Sequence, residues 1–126
     1  MRFLKVTRWL AVFFAIALAT ACAFKQEADA KFGDQHFKTT IALVELYKLR
    51  HGSYPETLHD LTFTGDWDAI ALNSVSYRRV GDGYELDIAR GWVGQPTLTY
   101  PPEFWKGLGL VASNVGGAPA APQQGK

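Results

Sequence analysis

Hydrophobic positions change their spacing along the chain, and each change marks a different kind of element. Trp9 to Ala19 is an unbroken apolar run, followed by small residues up to Cys22 and by a polar stretch, Ala23 to Gly33. From Gln35 to His51 there is neither Gly nor Pro, and apolar residues recur at helical spacing. At about 100° per residue, Phe37, Ile41 and Val44 form one stripe, and Ala42, Leu46 and Leu49 a second about 140° away. Lys38 and Glu45 fall in the gap between them. The first stripe is expected to face a sheet and the second to be covered by the segment after Gly52. Asp34 is the expected N-cap of this helix, and Gly52 its stop, with Arg50 and His51 near the negative end of the dipole. Pro55 can open a short helical turn, in which Leu58 and Leu61 point back onto the helix.

Beyond residue 74 the period drops to two. SVSYRRV and YELDIAR alternate around Gly81-Asp82-Gly83, the pattern of a β-hairpin. Placing Val75, Tyr77, Tyr84, Leu86 and Ile88 on one face requires Val75 opposite Ile88 and Tyr77 opposite Leu86. That register sets Arg78 against Glu85 on the outer face, a favourable cross-strand charge pair. The loop is then Gly81-Asp82, or equally the four residues Val80 to Gly83. A third strand is expected at Thr97 to Tyr100, between Pro96 and Pro101, as a sheet edge. Phe104, Trp105, Leu108 and Leu110 are expected to close the core, and residues 62–74 to be mostly loop. One long helix across a small antiparallel sheet is an α+β, two-layer domain.

The ends limit the folded part. Gly116 to Lys126 reads GGAPAAPQQGK, a tail with nothing to bury and therefore expected to be disordered. Arg2, Lys5 and Arg8, then a short apolar run, then small residues describe a secretory signal peptide. The run is shorter than the roughly 20 residues that a bilayer-spanning helix needs. The expected organisation is a signal peptide over residues 1–21, a tether over 22–33 with helical character in part, a domain over 34–115 and a tail over 116–126.

Cys22 is the chain's single cysteine, so no disulfide can form within the chain. The stretch Ala19-Thr20-Ala21-Cys22 resembles the lipobox of bacterial lipoproteins, although the usual leucine position holds Ala19 and Leu18 stands one step earlier. The resemblance implies a diacylglycerol thioether on Cys22, cleavage before it, and acylation of the new amino group with a third chain such as palmitate. A thiolate is the side-chain nucleophile suited to such a transfer. The competing readings are plain secretion with cleavage at another small-residue site and, less favoured, a retained membrane span. Ala23 in place of an aspartate implies, by the same resemblance, the outer membrane, with the domain facing the periplasm. Without residues 1–21 the chain keeps ten basic and twelve acidic residues, a formal charge of −2. That is no footprint for nucleic acid, which calls for a clustered basic face.

The stretch ALVELYKLRHGSYP, with Ala42, Leu43, Leu46, Tyr47, Lys48, Leu49, Gly52, Tyr54 and Pro55, is followed later by Gly81, Gly83, Tyr84, Glu85 and Leu86. Together they resemble the head domain of type IV pilins, above all the major pseudopilin of type II secretion. The resemblance covers about residues 35–90 and implies a spine helix laid on an antiparallel sheet. Pilins continue that spine into a long apolar helix at their N-terminus, where this chain has polar residues 23–33. The resemblance therefore predicts the fold and not assembly into a filament.

Candidate chemistry is thin. The pseudopilin resemblance implies a calcium loop, for which Asp66 and Asp68 in GDWD are the candidates. Calcium takes six to eight oxygen ligands, so a solvated loop is the preferred reading, with no metal or other cofactor. His36, His51 and His59 are the imidazoles; His59 adjoins Asp60, but adjacent helical residues point apart. No Gly-x-Ser-x-Gly elbow, HExxH pair or phosphate-cradling glycine loop occurs. The expectation is a non-enzymatic lipoprotein of the cell envelope, interacting with a protein partner in a secretion or pilus system. The alternatives are a small ligand-binding lipoprotein using loop residues Trp67, Trp92 and Trp105, and a pseudopilin-type structural subunit. For the tryptophans themselves, a place in the core is the preferred reading.

Overall fold

The computed structural model describes residues 2–63 and 65–120; the side chains of Trp67 and Asp68, and residues 121–126 of the expected tail, lie outside the described residues. The fold is α+β. A single helix, α1 (Arg2–His51), runs the length of the molecule. After it come a 3-10 turn (Leu58–Asp60), the short helix α2 (Asp66–Ile70), a second 3-10 turn (Ala71–Asn73), the hairpin β1 (Val75–Val80) and β2 (Gly83–Ile88), a helical turn α3 (Pro102–Trp105), and β3 (Leu110–Ala112).

No proline interrupts α1, and its fifty residues span about 75 Å. Gly52 ends it in the left-handed region, at φ 82°, donating its N–H to the Lys48 carbonyl at 2.8 Å. The buried stripe is Asp29, Gly33, Phe37, Thr40, Ile41 and Val44. The sheet-facing expectation for Phe37, Ile41 and Val44 is met. Two others are corrected. Asp34 is not an N-cap: the helix passes straight through it, and residues 22–33 are helical throughout and pack onto the domain from Asp29 onward. Gly33 reads as a boundary but is there for a different reason. A Cβ at this position would lie 2.6 Å from the Pro96 Cγ, so only glycine lets the downstream loop sit against the helix. The second stripe is also open to solvent. Leu49 is 82% exposed and Leu46 37%, because the segment after Gly52 sends Tyr54, Leu58 and Leu61 into the core instead.

The hairpin register is the expected one: Val75 faces Ile88, Tyr77 faces Leu86, and Arg78 faces Glu85, with an ion pair of 2.6 Å between the last two. Val80 pairs with Gly83, so the loop is Gly81-Asp82. Gly81 alone has positive φ (56°), as in a type II′ turn with glycine at its first central position. Tyr84, Leu86 and Ile88 are buried against α1 with Phe37, Ile41 and Val44 in one cluster.

The third strand is not the expected one. Leu110–Ala112 pairs parallel with β2, with an irregularity between Tyr84 and Glu85, so the three-stranded sheet is mixed. Thr99 makes one isolated bridge, to Gly116. Gly83 and Gly109 allow β2 and β3 to meet closely; a Cβ on Gly83 would stand 2.5 Å from the Gly109 carbonyl oxygen. Past β3, the Asn114 side chain takes over the ladder, accepting from the Ile88 N–H at 2.8 Å and donating to the Ile88 carbonyl at 2.9 Å. The first residues of the expected tail are folded too. Gly116 exchanges backbone hydrogen bonds with Leu98 and Tyr100, and Ala118 packs on the core. Glycine here serves close packing, since a Cβ on Gly116 would meet the Thr99 Oγ1 at 2.5 Å. Residues 66–73, expected as loop, are helical turns whose Ala71 is buried.

Candidate functional site

Three carboxylates along α1 hold the rest of the chain to it. Asp29 Oδ1 accepts the backbone N–H groups of Val93 at 2.6 Å and Gly94 at 2.9 Å. Those two hydrogen bonds, from Val93 and then Gly94, hold its carboxyl below the ordinary value of 3.8 despite burial, with Lys25 adding to the effect. The receiving loop is closed by the Gly91 N–H donating to the Gly94 carbonyl at 2.7 Å. A Cβ on Gly91 would collide with the Asp29 backbone, so the loop can lie this close only with glycine there. Five residues on, Asp34 accepts from the Tyr100 hydroxyl at 2.6 Å and pairs with Lys38 at 3.0 Å. Burial pushes its carboxyl up, but the hydrogen bonds from Tyr100 and Lys38 outweigh it and leave it lowered.

Glu45 is the third. Its Oε1 accepts from the Tyr84 hydroxyl at 2.9 Å and from the Gly109 N–H at 2.9 Å, and its Oε2 from the Tyr54 hydroxyl at 3.0 Å. One side chain thus ties the helix to the post-helix segment, to β2 and to the entry of β3. Burial, then the carboxylate, pushes Tyr54 up to about 12, and the same causes raise Tyr84 further. Tyr77 rises to about 12, chiefly through burial, and donates to the Pro55 carbonyl at 2.6 Å. None of the three carboxylates stood out in the sequence as functional. The available signal was position: Glu45 lies between two apolar stripes, where a charge needs partners, and tyrosines supply them.

Among the described residues, those nominated from sequence do not converge. Cys22 is exposed on α1, seven residues before Asp29. Asp66 is exposed. Among the described residues no three of His, Cys, Asp and Glu gather as a metal site. His51 stacks on Tyr47 with ring centroids 4.0 Å apart and lies 3.0 Å from the Tyr47 carbonyl oxygen. His36 is half-buried beside Phe32, its titration lowered by burial and its Nδ1 without a partner among the described residues. His59 is exposed. Trp105 is a core residue, packed edge-on to Phe37 and Phe104, whereas Trp92 is 52% exposed and sits edge-on to Phe24 at 6.2 Å.

The far end of α1 is a separate feature. From Trp9 to Phe24 sixteen residues carry no charge, and the large apolar ones among them are exposed. By length and composition α1 could cross a membrane, a test that a signal sequence passes equally. Comparison with protein-family models, with characterised proteins and with solved structures finds no match to this chain.

Proposed function

We propose that this protein is a membrane-anchored, non-enzymatic component of the bacterial envelope, attached to the outer membrane through lipid on Cys22, its head facing the periplasm. Its role is accessory or interactive, and the pilin-like residue pattern ties it to a type II secretion or type IV pilus system. That tie rests on the residue pattern alone, which does not by itself specify a task. The observation that supports the anchoring is Cys22, exposed on α1 at the end of a bare, uncharged stretch and seven residues before the helix is fastened to the head at Asp29. Helical rise puts Cys22 about 10 Å from Asp29, so lipid on Cys22 holds the head against the membrane surface with little slack. Three acyl chains exceed the two signals needed for stable attachment.

Replacing Cys22 with Ser tests this. The expected result is loss of palmitate labelling and retention of residues 1–21, read as a heavier chain; a variant that is labelled and processed as the wild type is would sink the lipid anchor. A second reading is favoured by the continuity of α1 from Arg2 to His51. In it the helix is retained whole as a membrane span, as in a pilin-type subunit. The mass of the mature protein separates the two: a chain starting at acylated Cys22 supports the first, and an intact N-terminal segment with a free thiol supports the second.

A further inference from the structure

Phe24, Trp92 and Val93 are 63%, 52% and 61% exposed, and they sit together although one comes from α1 and two from a loop nearly seventy residues later. Exposure of a Trp-Val pair at a loop tip is ordinarily relieved by collapse onto the core. Here collapse is prevented. The Val93 and Gly94 N–H groups are both held by Asp29, the turn is closed from Gly91 to Gly94, and the two glycines let the loop backbone lie flat on the helix. The backbone points inward, so the Trp92 and Val93 side chains are presented outward.

What they face follows from the helix. Phe24 is the last residue of the uncharged stretch that begins at Trp9, and Lys25 follows it at once. The Trp92 ring therefore lies beside α1 at the level where apolar side chains give way to charge. Both anchoring modes place that level at the same depth: lipid on Cys22 would be two residues from Phe24, and a retained span would end there. Tryptophan is the residue suited to such a boundary, with an apolar body for acyl chains and an N–H for headgroups. Lys25, its Nζ turned toward Gly94 and Asp29, marks the onset of charge, and Glu27, two residues on, is the nearest acidic residue in sequence.

We propose that Phe24, Trp92 and Val93 form a seat in the headgroup region of a phospholipid bilayer, and that the Asp29 clasp holds this seat so that the head stands in one orientation on the membrane. The proposal rests on the membrane-anchored reading above. It gives the GWVG loop a task that the head's own stability does not require.

The test uses the mature protein purified from host membranes, with the lipid or the N-terminal segment it carries there, reconstituted in phosphatidylcholine–phosphatidylglycerol vesicles, comparing the wild type with Trp92→Phe. Lipids brominated near the top of the acyl chain report contact, and aqueous iodide reports exposure. Expected is a bromolipid-quenched share of tryptophan emission in the wild type that is lost in Trp92→Phe, with iodide quenching equal in the two. Trp67, Trp105 and, where it is retained, Trp9 contribute equally to both proteins and cancel. Equal bromolipid quenching of the two proteins would overturn the seat, whether Trp92 then proves open to iodide or shielded by another protein copy. Failure of the chain to float with the vesicles would instead overturn the anchoring reading, so the two failures are distinguishable. Val93→Asp supplies a second variant at an exposed position: it should raise iodide quenching of Trp92 severalfold in vesicles, and no rise would count against the seat.

Discussion

Residues 9–24 and residues 29–44 occupy the same helix under opposite conditions. In the first stretch Trp9, Phe13, Phe14 and Ile16 stand in the open, each more than half exposed, with nothing from the head packed against them. In the second the buried positions include Asp29, Gly33 and Thr40 alongside Phe37, Ile41 and Val44. Apolar side chains are bare in one and a carboxylate is covered in the other. Burial along α1 is thus decided by what the rest of the chain brings to it and not by the helix's own polarity. The bare apolar stretch has the length and composition to cross a membrane, as a signal sequence also does.

Substitutions can break this contrast. The largest expected effect is Phe37→Ala, which removes a fully buried ring touching Tyr100 and Trp105 and should cost about 3–5 kcal/mol. Phe13→Ala, in the bare stretch of the uncleaved chain, should change the head's stability by less than about 0.5 kcal/mol. Urea denaturation of the detergent-solubilised chain, followed by near-ultraviolet circular dichroism, measures both. Similar losses from the two would mean that the halves are not distinct. Next is Glu45→Ala, which strands two tyrosine hydroxyls and the Gly109 N–H and should cost about 2–3 kcal/mol. Spectrophotometric titration, read where circular dichroism shows the variant still folded, adds a second readout: Tyr54, held up to about 12, should titrate lower once the carboxylate is gone.

The smallest effect is on pH dependence, and its sign differs at the two ends of the scale. Asp29 and Asp34 lie below their ordinary value of 3.8, so their contribution is complete above it and disappears as pH falls through the folded-state values. Tyr54 and Tyr77 are raised, so theirs is complete below about 10 and disappears as pH climbs through about 12. Melting temperature against pH should fall at both extremes. Asp29→Asn, which retains one acceptor oxygen, should flatten the acid limb and leave the alkaline limb unchanged; a steepened acid limb would contradict the clasp.

Much of the hairpin could be read directly. Alternation fixed which side chains share a face, and the Gly81-Asp82 turn then left one register consistent with it. The inner stripe of α1 was legible for the same reason, since helical period is local. The parallel partner of β2 was not, because Leu110 reaches it only through a connection of some twenty residues whose course no local pattern records. Continuity of α1 through residues 23–33 was hidden because its buried face there is Asp29 and Gly33, neither of which signals burial by hydrophobicity. The three helix carboxylates were hidden likewise: Asp29, Asp34 and Glu45 find their donors 64, 66 and up to 64 residues downstream.

What the sequence determined alone was the two hairpin strands with their register and the inner stripe of α1, because periods of two and of 3.6 follow from backbone geometry within a few residues. The apolar stretch before Cys22 and the single thiol belong with these, being facts of composition. Tertiary structure decided which polar groups are covered, where the long helix is grasped, and which loop tip is turned outward beside Phe24. Those outcomes depend on donors and acceptors that meet only after distant segments close on one another, and a hydrogen bond between residues sixty apart leaves no periodic trace in the chain.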